Sequence, residues 1–124
     1  METTNYKVHE TMNEDKLYSL DQLEAMSSGD EAFINKMVEM FIHMTPEAVD
    51  RMVTALAEDD LEDLGSAAHK IKPSIDMMGI TSLRQKIRDL EQWGKNRLNV
   101  DQIPDLLNEV IETLNGVIQQ LRSR

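Results

Sequence analysis

His69, Lys70 and Lys72 are the residues of this 124-residue chain whose types and spacing could do chemistry. An imidazole is nucleophilic and largely neutral near pH 7, which lets it bond an electrophile or a ligand. An ammonium three residues later on a helix stands one turn away and about 60° around, close enough to share that ligand. The stretch is helical in pattern: Leu61, Leu64, Ala68, Ile71, Ile75 and Met78 recur at alternating gaps of three and four, the seam of a helix buried on one side. At ~100° per residue His69 falls roughly 130° from the centre of that seam, which predicts an exposed ring. Taken alone, an exposed histidine between lysines is most often a solvated surface residue. A helical metal site is disfavoured too, because the positions four residues to either side of His69 are Gly65 and Pro73, neither of which can ligate.

The elements that must position these residues are all helical. Leu, Ile and Met supply the apolar positions, β-branched runs are missing and aromatics are few, which favours helix over sheet. The nine Met are expected as packing filler. Residues 1–16 are polar and aperiodic and are expected to form a loosely ordered tail that includes a solvated His9, leaving one domain over 17–124. A short helix over 19–27 opens on a capping box from Ser19 to Gln22, and a second box runs from Ser28 to Glu31. Long helices are expected over 30–58, 60–79, 81–96 and 101–122. Pro46 interrupts the first and permits a kink or a restart capped by Thr45. Gly79 suits the left-handed end of the second, Ser82 with Gln85 opens the third, and Asp101 caps the last with Pro104 in its first turn. His43 falls on the polar side of its helix. Four amphipathic helices with short connections predict an all-α, antiparallel up-down four-helix bundle with the short N-terminal helix capping one end.

Charge narrows the functions further. The net charge is −10, but residues 1–65 carry 4 Lys/Arg against 16 Asp/Glu, whereas residues 66–97 carry 7 against 3. The acidic total disfavours nucleic acid and anionic membranes as partners. The basic island around His69 suits an acidic or phosphorylated partner. With no cysteine, thiol catalysis, disulfides and thiolate metal sites are excluded. No apolar run approaches a membrane span and the N-terminus has no signal-peptide pattern, so a cytoplasmic location is expected. Gly-rich phosphate loops, His-Glu-x-x-His and Gly-x-Ser-x-Gly are all missing, and without a nucleotide site the chain is not expected to be an enzyme or a kinase on its own.

Ala68, His69, Lys72, Ser74 and Gly79 fall in the order of the core motif of the histidine-containing phosphotransfer (HPt) domains, and Leu90, Glu91 and Gly94 extend the likeness, so that residues 17–122 resemble that family. One position departs: Pro73 stands where the family usually has Gly. The resemblance implies a four-helix bundle with an exposed phosphoryl-accepting His69 and a phosphoryl-stabilising Lys72. It further implies a phosphorelay intermediate that takes the group from a receiver-domain aspartate and passes it to another receiver. The implied partners are response-regulator receivers and a hybrid histidine kinase. The chain needs no cofactor of its own, Mg²⁺ being expected on the receiver. The basic island adds a docking surface over Lys70, Pro73, Asp76, Gly79, Arg84, Lys86 and Arg88, on a protein expected to be monomeric. The rival is a similar bundle that binds receivers as an adaptor without transferring phosphate.

Overall fold

Alternating gaps of three and four between apolar residues turn into five α-helices in a computed structural model that describes residues 16–124. They are α1 (Asp21–Ser27), α2 (Glu31–Ala57), α3 (Leu61–Met77), α4 (Arg84–Asn96) and α5 (Ile103–Arg122). Short 3-10 turns, Thr81–Leu83 and Val100–Gln102, lead into α4 and α5. No strand occurs among the described residues. The expected tail over 1–16, with His9, lies outside them except for Lys16.

Helix starts depart from the capping pattern in four places. Ser28 takes a left-handed conformation (φ 55°) to end α1, so it cannot cap the next helix. Asp30, in an extended conformation, does so instead, its carboxylate accepting from the amides of Ala32 and Phe33. Ser19 accepts from the Asp21 amide at 3.2 Å, while Leu20 occupies the N-cap without a side-chain bond. At α4 and α5 the 3-10 turns supply the first backbone bonds, so neither Ser82 nor Asp101 caps. Pro104 does fall in the first turn of α5.

Pro46 neither ends nor restarts α2, which runs through it. The missing amide leaves the Ile42 carbonyl without its helical donor. Tertiary packing carries the helix across this gap: Ile42, Thr45 and Met52 are buried on the inner face. The Thr45 hydroxyl is buried with no hydrogen-bond partner among the described residues.

α3 is the central element, packing against α2 on one flank and α4 on the other, while α5 packs against α4 and α2. Its seam residues Leu61, Leu64, Ala68, Ile71 and Ile75 are all buried, as are Leu83, Ile87 and Leu90 from the other side and Ile103, Leu107, Val110, Leu114, Val117 and Leu121 of α5. At N-terminal Leu17–Ser19 the chain straps one end of the molecule. The Leu17 amide donates to Gln120 Oε1 at 2.8 Å and the Ser19 amide to the Met78 carbonyl at 2.9 Å. Among the described residues no helix is long and apolar enough to cross a membrane.

Candidate functional site

The contact between α3 and α4 is set by two glycines. A Cβ on Gly94 would stand 2.7 Å from the Leu61 carbonyl oxygen and 2.9 Å from the Gly65 amide nitrogen, and a Cβ on Gly65 would stand 2.9 Å from the Glu91 carbonyl oxygen. The two backbones therefore touch one turn before His69 and one turn after Glu91. Any larger residue would push the helices apart. This closeness brings side chains 22 residues apart in sequence within hydrogen-bond reach.

His69 Nδ1 lies 2.7 Å from Glu91 Oε2, and Lys72 Nζ donates to Glu91 Oε1 at 2.7 Å. Lys95, one turn after Glu91, reaches Oε2 at 3.5 Å. The carboxylate is buried at 7% exposure, yet its pKa is pushed down to about 2. The hydrogen bond from Lys72 outweighs the upward push of burial, and the bond with His69 and the charges of both partners add to it. A carboxylate that stays ionised at neutral pH can only accept, so the proton of this contact sits on His69 Nδ1. In the neutral ring that assigns the tautomer and leaves the lone pair on Nε2. The imidazole is 60% exposed, as its angular offset from the seam predicted, and is braced from behind. A ring fixed in this way can attack an electrophile through Nε2 without first losing a proton from that nitrogen.

Lys72 is one turn from His69, as the spacing predicted. The ligand it shares with the ring is Glu91, which the sequence reading placed only within a Leu-Glu-x-x-Gly pattern and gave no role. A signal for it was present: Ile87, Leu90 and Gly94 all face inward in α4, and Glu91 is the charged residue in that register. A carboxylate on an inner face needs a partner.

The remaining candidates divide into groups. Asp76 sits two turns after His69 and accepts both terminal nitrogens' bonds from Arg88, 3.2 Å from Nη1 and 2.7 Å from Nη2, with Arg84 at 3.6 Å. The Arg88 bond, ahead of the Arg84 charge, lowers the Asp76 pKa. Asp76, Arg84 and Arg88 thus form a second ion network across α3 and α4, beside the first. Lys86 points to the other edge of α4, 3.1 Å from Glu109 of α5. Lys70 faces the opposite flank, beside a cavity of about 190 Å³ lined also by Met44, Glu47, Ala48, Arg51, Ala67 and Ile71. Pro73 is exposed and leaves the His69 carbonyl without its helical donor, although α3 continues to Met77. Gly79 is left-handed (φ 62°) and packs against Ser19, so it shapes the end of α3. His43 is exposed and pairs with Glu39 at 3.6 Å. Among the described residues no three His, Cys, Asp or Glu side chains converge as a metal-ligand set.

Comparison with known proteins yields two findings. The Hpt domain family matches residues 36–124. The phosphorelay intermediate protein YPD1 of Candida albicans is 27% identical over 101 residues, covering 73% of this chain and 54% of that protein. The chain therefore spans about half the length of the curated relative it matches. No solved structure matches at comparable significance.

Proposed function

The chain belongs to the Hpt domain family, and from that premise we propose that it is a phosphorelay intermediate in which His69 carries the phosphoryl group between receiver domains. The observation that carries this reading is the 2.7 Å contact of His69 Nδ1 with Glu91 on a ring that is 60% exposed, which supports Nε2 as the nucleophile.

The chemistry follows from that contact. The Nε2 lone pair attacks the phosphorus of a receiver aspartyl phosphate, the N–P bond forms, and the P–O bond to the aspartate breaks with its electron pair leaving on the carboxylate. The ring gains positive charge as it bonds, and the Glu91 carboxylate at Nδ1–H balances it. In the reverse direction the protonated ring is the leaving group, so one arrangement serves acceptance and donation. Phosphoryl transfer asks mainly for positioning and charge stabilisation, and Lys72 supplies the cation for the phosphoryl oxygens. The Mg²⁺ that this transfer uses belongs on the receiver.

The helices form an antiparallel up-down four-helix bundle capped by α1. A hybrid histidine kinase stands upstream, and the protein acts as a monomer in the cytoplasm. Receivers dock around His69 over Pro73, Asp76, Arg84 and Arg88, with Lys70 and Lys86 at the two edges of this surface and Gly79 shaping the end of α3 beneath it. Docking there depends on local contacts, since the chain as a whole is acidic. Pro73, which leaves the His69 carbonyl without its helical donor, lies on this surface. The alternative, an adaptor that binds receivers without transfer, keeps the docking surface but has no use for a fixed imidazole tautomer.

Replacing His69 by Gln is expected to abolish acid-labile, alkali-stable phosphate on the protein while leaving far-UV circular dichroism unchanged. Labelling that persists would move the site to His43 or His9, and absence of labelling in the parent protein would favour the adaptor. Lys72→Ala is expected to slow transfer by about 10²-fold, the scale of removing one electrostatic stabiliser, with receiver binding retained. An unchanged transfer rate would remove Lys72 from the chemistry.

A further inference from the structure

Glu91 is one buried carboxylate with three positively charged or proton-donating neighbours: His69 and Lys72 across the helix contact and Lys95 on its own helix. The reading above asks two things of Lys72, to hold Glu91 Oε1 at 2.7 Å and to meet the phosphoryl oxygens beyond Nε2. The ammonium has three N–H donors, but each step it takes toward the phosphoryl oxygens lengthens its bond to Oε1. When it turns outward, a carboxylate at 7% exposure loses its strongest partner, and an uncompensated buried charge is costly.

We propose that Lys95 is a positioning residue held in reserve, which closes onto Glu91 when Lys72 leaves for the phosphoryl group, so that His69 keeps its tautomer through the transfer. This rests on the phosphoryl-acceptor reading of His69. Three features support it. Lys95 follows Glu91 by four residues in the favourable order of acid before base. Its ammonium is 3.5 Å from Oε2, a step short of a full hydrogen bond, so a small movement completes the contact. Its stem runs over Gly65: a Cβ there would stand 2.8 Å from Lys95 Cγ, so the bare glycine leaves the track along which Lys95 approaches the site. The other charged group near Glu91 is Arg88, one turn earlier on α4, which Asp76 already holds. Arg88 is therefore not available for the exchange.

Lys72→Met reproduces, without any phosphate, the state in which Lys72 has left. In a crystal structure of that variant Lys95 Nζ is expected within hydrogen-bond distance of Glu91. In carbon-13 titrations of the Glu91 carboxyl from pH 8 to pH 4, Lys72→Met is expected to stay ionised. The double variant Lys72→Met/Lys95→Met should titrate at least about one pH unit higher, because burial then acts against one partner alone. A Lys95 that has not moved, or equal titrations in the two variants, overturns the proposal. In transfer assays Lys95→Met is expected to slow both uptake of phosphate on His69 and its passage onward by about tenfold, with Lys95→Arg restoring both rates. A parent protein that takes no phosphate would sink the acceptor reading instead, and the structure and titrations would still judge Lys95.

Discussion

Where α3 meets α4, backbone touches backbone at Gly65 and Gly94; where α3 meets α2, methionines and small cavities lie between. The second flank holds the cavity of about 190 Å³ beside Lys70 and another of about 70 Å³ lined by Met37, Met40, Phe41, Met44, Ser74, Met77 and Met78. Ser74 Oγ donates to the Met44 sulfur at 3.6 Å, and Met40 is half exposed. Each of the two helices on this flank also carries an internal proline, Pro46 and Pro73. The two flanks answer different demands. A carboxylate that fixes an imidazole at 2.7 Å needs backbones that cannot drift. A flank built on methionines and small cavities can re-pack at little cost.

The contrast is open to attack on the tight flank first, through pH. The folded Glu91 has its pKa lowered from 4.5 to about 2. A depressed carboxyl adds stability that is fully present above its unfolded value and is lost as pH falls through its folded value. Between about pH 4.5 and 2 the parent protein is therefore expected to lose up to about 3 kcal/mol through this group. Glu91→Gln should flatten that part of the stability curve in urea denaturations at stepped pH. Identical curves would mean that the network does not stabilise the fold.

Gly94→Ala tests the backbone contact itself. A gain in helix propensity of about 1 kcal/mol is set against a Cβ forced onto the Leu61 carbonyl and the Gly65 backbone. The net expectation is a loss of about 2 kcal/mol, with slower phosphate uptake as Glu91 moves away from His69. A neutral or stabilising result would show that the helices can separate freely.

The smallest effect belongs to the other flank. Met44→Leu keeps volume in a region that already has cavities, and its expected cost is under about 1 kcal/mol by thermal or chemical denaturation. A cost as large as that of Gly94→Ala would erase the distinction between the flanks.

The legibility of this molecule in its sequence follows the same line. Helices with regular stripes, such as Ile103 to Leu121, were readable because burial repeats at the period of the helix. The exposed ring of His69 was readable from its angle to the seam. The continuous helix expected over 30–58 holds through Pro46 because a local cost of about 3 kcal/mol in a helix interior is outweighed by burial along 27 residues of α2. Ser28 and Asp101 failed as caps because turn geometry, not residue type, decides which residue stands at the first free amides. Glu91 as the partner of His69 required a distance across two helices, which no spacing along one helix encodes. Its inward register was the available sign, and the glycine pair that makes the contact possible has meaning only once the helices are seen together.

The strap at Leu17–Ser19 has a consequence for reach. It pins the chain beside the Met78 carbonyl, nine residues beyond His69 and so about 14 Å along α3 from it. The two backbone ties at Leu17 and Ser19 therefore fix where the chain enters the molecule at a set distance from the ring, so that α3 works as a ruler between an anchored end and the imidazole.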